Sequence, residues 1–153
     1  MNNILKIKEI VQYFESIAPL KLQESYDNSG LIAGNPEAQV SSALVTIDVT
    51  EAVVDEAIEK KAGLIIAHHP IVFSGIKKLT GKNYVERTVI KAIKNDVAIY
   101  AAHTNLDAVS GGVNTKICEK LGLKNCKVLH PVSGQLKKLV TFIPVDSANK
   151  VRT

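Results

Sequence analysis

Apolar residues recur at helical spacing over residues 4–18. Ile7, Ile10, Val11, Phe14, Ile17 and Ala18 share one face, and Lys and Glu occupy the other. Pro19 ends that helix, and Tyr26-Asp27-Asn28-Ser29-Gly30 follows as a turn-rich loop. The pattern then changes period. Residues 43–47, 64–67 and 97–102 are short, continuous apolar runs, the mark of strands buried on both faces. Between them the helical period returns. Thr50 is placed to cap a helix through Lys61 with Val53, Val54, Ala57 and Ile58 inward, and Gly63 is expected to stop it. A second helix is expected over about 84–95, with Val85, Val89, Ala92 and Ile93 on one face, and a third from the Gly111-Gly112 hinge to Leu121, ended by Gly122. Residues 70–83 read as loop, and residues 127–129 as a further short strand.

Strands alternating with helices through short connections predict an α/β fold, a three-layer lobe whose largely parallel sheet is covered by helices. Its expected extent is residues 1–133. A different unit begins near 134. Residues 138–143 form another apolar strand, Pro144-Val145-Asp146 ends it, and Ser147 is placed to cap a helix starting at Ala148. That helix has room for about one turn, too short to stand alone. The chain therefore reads as ending inside a structural unit, as a truncated product or a fragment.

Composition narrows the function classes. With 46% hydrophobic and 22% charged residues the chain has the balance of a folded domain, and with 5% aromatics its core must be aliphatic. The net charge is +4, but the lysine pairs 60–61, 77–78 and 137–138 are dispersed and carry no interleaved aromatics, which argues against nucleic acid as a partner. No stretch approaches the roughly 18 apolar residues of a membrane span, and Lys6, Lys8 and Glu9 interrupt any signal-like apolar run. Cys118 and Cys126 match neither a zinc knuckle nor a CxxC motif, and Cys118 is expected as a small buried residue of a helix. A reducing, cytoplasmic setting follows. GxxxxGK[ST], GxGxxG and GxSxG motifs are absent.

The candidate chemistry sits at strand ends, where parallel α/β sheets bind their ligands. One strand ends at Asp48, the next at His68-His69-Pro70, and the third at His103 with Asp107 just beyond. Imidazole and carboxylate donors together suit zinc, iron, manganese or nickel. Neighbouring strand residues point to opposite faces, but at the strand end, with Pro70 bending the chain, both histidines can turn inward. Two ions roughly 3.5–4 Å apart would hold a bridging hydroxide for hydrolysis. Each residue also has a structural reading. A strand-end histidine is often a hydrogen-bonded loop residue, Asp107 can cap the following helix, and Asp48 reads as a cap or as an acceptor behind a ligand. Asp27 and Asn28 can simply form Asx turns, and His103 reads as a group that orients a ligand.

Tyr26-Asp27-Asn28-Ser29-Gly30-Leu31, Ile65-Ile66-Ala67-His68-His69-Pro70 with Phe73, and His103-Thr104-Asn105-Leu106-Asp107 with Gly112 and Asn114 closely resemble the Nif-three-like family. These are dinuclear-metal-centre proteins, also described as type 2 homologues of GTP cyclohydrolase I. The resemblance covers about residues 5–130. It implies two similar α/β lobes per subunit, of which this chain is the first, a toroidal homohexamer, and two divalent metal ions per complete subunit. His68, His69 and Asp107 match the family's N-terminal metal ligands, with Asp27, Asp48, His103 and Asn105 as site-lining positions. A histidine and a bridging glutamate from a C-terminal segment complete the family's site, and His130 lies outside any matching motif. Residues 134–153 look like the start of an inserted ferredoxin-like domain or a linker. The implied activity is metal-dependent hydrolysis of a nucleotide-like or other small substrate by a metal-bound hydroxide. The alternative is a metal-stabilised oligomeric scaffold or regulatory adaptor without catalysis. A phosphoesterase of another family would carry a further Asp-x-Asp or His-x-His pair at an earlier strand end, where only Asp48 stands.

Overall fold

The structure, a computed structural model, describes residues 4–131 and 140–151. A two-residue strand, β1 (Leu5–Lys6), leads directly into α1 (Ile7–Ile17). Then come β2 (Gly30–Ala33), β3 (Gln39–Val40), β4 (Ala43–Thr46), α2 (Glu51–Glu59) and β5 (Leu64–Ala67). After them follow α3 (Tyr84–Lys94), β6 (Ala98–Ala101), α4 (Thr104–Ala108), α5 (Val113–Lys120) and α6 (Ala148–Val151). The main sheet has the order β2-β6-β5-β4. β4, β5 and β6 run parallel in register, Val45 beside Ile66 and Ile66 beside Tyr100, and β2 joins β6 antiparallel.

Helices cover both faces because the strands are apolar on both. On one side Ile65, Ala67 and Ile99 pack with Val54 and Ala57 of α2 and Val89 and Ala92 of α3. On the other, Leu64, Tyr100 and Ala102 meet Ile7 of α1, with Ile10, Val11 and Phe14 alongside. Largely parallel topology and three layers are as the apolar pattern predicts. Both long crossover helices start on the expected kind of signal. Thr50 accepts the Val53 N–H at 3.2 Å, and Asn83 accepts the Glu86 N–H at 2.9 Å. The Glu86 carboxylate in turn accepts the N–H groups of Thr80 and Lys82 and the Thr80 hydroxyl, which pins the end of the 70–83 loop to α3.

Several expectations are corrected. The first helix starts at Ile7, not at residue 4, because Leu5 and Lys6 pair with Val40 and Gln39 of β3, and the Glu9 carboxylate accepts the Lys6 N–H at 2.7 Å at the turn into the helix. Strands β1, β2 and β3 carried no periodic signal of their own. Gly63 does not stop α2. Lys61 adopts the left-handed conformation at φ 55°, while a Cβ on Gly63 would stand 2.7 Å from Val40 Cγ1, so this glycine admits close packing rather than a turn. Ile17, Ile58 and Ile93 are exposed at the margins of their helices' apolar faces. Cys118 is half-buried rather than buried. Residues 127–129 are not a strand, and neither are residues 140–143; residues 138 and 139 lie outside the described residues. Ser147 belongs to a 3₁₀ turn, Val145–Ser147, that runs straight into α6. No helix among the described residues is long and apolar enough to cross a membrane.

Candidate metal centre

The C-terminal ends of β4, β5 and β6 form one rim. The parallel ladder outlasts the assigned strands there: His68 N–H donates to Thr46 O at 3.2 Å and His69 N–H to Ile47 O at 2.9 Å. Both backbones are thus fixed before the side chains diverge from strand alternation. With Pro70 buried just beyond, the two imidazoles turn to the same side, ring centroids 4.9 Å apart. From the end of β6 His103 joins them, 5.2 Å from the His68 ring and 5.5 Å from the His69 ring. One nitrogen from each of the three imidazoles lies within 4.8 Å of the other two, so His68, His69 and His103 can hold a metal ion.

Each ring is oriented from behind through Nδ1. His68 Nδ1 meets Ala102 O at 2.9 Å, His69 Nδ1 meets Asp48 Oδ1 at 2.7 Å, and His103 Nδ1 meets Asp27 Oδ1 at 2.9 Å. A carbonyl or a carboxylate can only accept, so all three Nδ1 atoms carry the proton and donate it. In the neutral ring each Nε2 then keeps its lone pair, the tautomer that a metal ligand requires. Asp107, on α4, brings Oδ1 to 3.9 Å from His68 Nε2. Its backbone carbonyl accepts the Asn114 Nδ2–H at 3.0 Å, which ties α4 to α5.

Asp27 is more than an Asx-turn residue. Its side chain is 0% exposed and gathers hydrogen bonds from His103, from the Thr104 N–H at 3.1 Å and the Thr104 hydroxyl, from the Ser29 hydroxyl at 2.8 Å and from the Asn28 N–H at 2.6 Å. Burial pulls its pKa up, but the bonds from Thr104, His103, Ser29 and Asn28 outweigh it and hold the carboxyl well below the usual range. Asn105 is fully buried and works on the backbone, with Oδ1 accepting the His103 N–H at 3.0 Å and Nδ2 donating to Ala18 O at 2.7 Å. Asp48 is exposed behind His69.

Thr104 and Ser29 were not singled out by sequence reasoning, although both stand inside the motif strings; neither residue type advertises a carboxylate partner. Two exposed aromatics also border the rim. Phe73 lies 6.3 Å from the His103 ring, edge to face, and Tyr26 lies 6.2 Å from Phe73. Their loops are joined by Asn28 Nδ2, which donates to Val72 O at 2.7 Å.

Known proteins share this arrangement of chain. The family model for Duf34/NIF3 (NGG1p interacting factor 3) matches residues 5–151. GTP cyclohydrolase 1 type 2 homologs from Halalkalibacterium halodurans and Bacillus subtilis are 43% and 41% identical over 144 and 146 residues, 94% and 95% of this chain. The match spans 39% of the length of each of those relatives. Among solved structures, a Bacillus cereus protein related to NIF3 superposes with a TM-score of 0.79 at 45% identity, covering 85% of this chain and 36% of that one. Reduced HcgD from Methanocaldococcus jannaschii gives 0.78 at 30% identity, over 85% of this chain and 52% of that one. With nearly its whole length matched by the family model, the chain belongs to the Duf34/NIF3 family.

Proposed function

We propose that this protein binds divalent metal at the histidine rim and serves as a metal-dependent hydrolase of a nucleotide-like or other small substrate. The observation that carries this reading is the convergence of three imidazoles, one nitrogen of each within 4.8 Å of the others, with each Nδ1 held by an acceptor behind the ring. Nitrogen donors with a carboxylate in reach suit zinc, iron, manganese or nickel. His68, His69 and Asp107 would hold the metal, two ions per complete subunit. His103 brings a third imidazole nitrogen within reach, and Asp48, Asp27 and Asn105 line and brace the site. A divalent ion in such a rim supplies Lewis-acid activation of water.

The chain's own residues do the positioning. Ala102 O, Asp48 and Asp27 set the planes of the three rings, and Asn105 sets the backbone from which His103 departs. The exposed Phe73 ring lies beside His103 with the exposed Tyr26 ring next to it, and the two offer apolar faces to a planar base. The name of these relatives, GTP cyclohydrolase 1 type 2 homolog, supports including guanine nucleotides among the substrates tested. Self-assembly into a homohexamer and a cytoplasmic location complete the proposal, the latter supported by two unbridged cysteines.

Metal analysis of the purified protein tests the site. The wild type is expected to carry stoichiometric divalent metal, and the His68→Ala, His69→Ala double variant to lose most of it. Equal metal in both overturns the assignment. Turnover in a screen of nucleotides and phosphoesters with the metal-loaded protein separates a hydrolase from a scaffold, which would gain thermal stability from metal and convert nothing.

A further inference from the structure

Two aromatic rings stand in water beside the histidine rim, on loops that are tied down. Tyr26 is 63% exposed and Phe73 49% exposed. The chain around Tyr26 is held on both sides by the residue that follows His103. Glu24 N–H donates to Thr104 Oγ1 at 2.9 Å, and Thr104 N–H donates to the Asp27 carboxylate at 3.1 Å. Phe73 follows Pro70 and Ile71, both buried, and Asn28 Nδ2 donates to the carbonyl of neighbouring Val72 at 2.7 Å. Each ring is therefore carried on backbone whose position is set next to the rim. The two rings meet at 6.2 Å and 46°, an open angle rather than a stack, and both keep ring surface in solvent. Phe73 also stands 6.3 Å from His103 at 77°, edge to face.

We propose that Phe73 and Tyr26 form a stacking subsite for the planar heterocycle of a nucleobase, and that this subsite selects the substrates presented to the rim. The assignment deepens the reading of a nucleotide-like substrate and rests on it for the chemistry that follows binding. Two flat faces meeting at an angle give no enclosure for an aliphatic chain, whereas every base has a π-face to lay on them. One such stack is worth about tenfold in affinity. Aromatic side chains with two rotatable bonds, on backbone already fixed, lose little freedom when a base lands on them. A base on Phe73 is next to the His103 ring, and so next to the metal-binding nitrogens. The stack itself needs no ion.

The test is equilibrium dialysis of the purified protein, as isolated and again in EDTA, against guanosine monophosphate. Ribose 5-phosphate serves as the same sugar phosphate without a base. Guanosine monophosphate is expected to bind in both conditions, and ribose 5-phosphate to bind about tenfold more weakly or less. Phe73→Ala and Tyr26→Ala, checked for native circular dichroism, should each weaken base binding about tenfold, and Phe73→Trp should preserve it. The chain has no tryptophan, so the indole of the Phe73→Trp protein is a single reporter. Guanosine monophosphate should change its fluorescence saturably, and ribose 5-phosphate should not. Failure to bind guanosine monophosphate, equal binding of the two ligands, or alanine variants that bind as the wild type does overturns the subsite. So does a loss of assembly in the alanine variants with base binding intact, which would make the rings a contact between subunits. Base binding in EDTA and metal content of the isolated protein are separate readouts, so the stacking subsite and the metal assignment fail independently.

Discussion

Asp27 is the residue on which the rim's electrostatics turn. Its fully shielded carboxylate is charged because four neighbours donate to it, and the net effect holds its folded-state pKa far below that of the unfolded chain. A depressed folded pKa stabilises the native state at pH values above the unfolded carboxylate pKa, about 3.9. That contribution is lost as pH falls from there toward the folded value. Asp27→Asn substitutes an amide that cannot accept all these bonds, so it should cost about 1–3 kcal/mol at neutral pH. It should also flatten the acid limb of the stability profile, and urea midpoints measured across the acid range check both effects; superimposable profiles would refute the argument. Tyr100 presents the opposite case. Its hydroxyl is buried without a hydrogen-bond partner among the described residues, and burial, with Glu15 nearby, pushes its pKa up to about 12. Tyr100→Phe removes that hydroxyl from a site where it gains nothing, so the melting temperature should hold or rise by an amount worth about 1 kcal/mol. A clear fall would mean that the hydroxyl is satisfied.

At the scale of elements, the joint between α4 and α5 links packing to the site. A Cβ on Gly112 would stand 2.0 Å from the Leu106 carbonyl oxygen, which belongs to backbone one residue before Asp107. Gly112→Ala must therefore displace α4 itself, with an expected cost of roughly 2–4 kcal/mol and a reduced metal content. Gly111→Ala is the control. Its φ of 80° penalises alanine by only about 1 kcal/mol, and open space surrounds the position, so metal content should not change. Thermal denaturation with metal analysis distinguishes the pair, and equal effects would deny the joint any role in placing Asp107. The same scale shows what the sequence could disclose. β5, β6, α2 and α3 were legible because their apolar runs and caps are local properties, and β5 led directly to the histidine pair. β1 and β3 were not, since two-residue strands exist only because Leu5 finds Val40 across 35 positions of chain. Gly63 was misread for a related reason: its role lies in the space beside Val40, which no local pattern encodes. At the rim, the three strand ends could be read from residue types, but the Asp27 brace could not, because it joins His103 from 76 residues away.

For the whole molecule the unsolved surface is the β4 edge. The sheet ends there, so the outer backbone groups of β4 have no strand beside them among the described residues. Val45 stands in register with Ile66 and Tyr100 on the face that α1 packs against, yet α1 does not reach it. Val45 is 77% exposed, and Ile47 just beyond the strand is 64% exposed. An open edge flanked by β-branched side chains invites association, and the homohexamer proposed above offers a way to cover it. Light scattering should then give a mass near six chains of 16.5 kDa, about 99 kDa. Replacing Val45 and Ile47 with lysine should shift that mass toward the single chain. Because both side chains already face solvent in the isolated fold, circular dichroism should stay unchanged and stability should move by no more than about 0.5 kcal/mol. A wild-type protein that runs at 16.5 kDa at micromolar concentration would remove the assembly proposal. A lysine variant that assembles as the wild type does would instead keep the oligomer and move its interface away from β4.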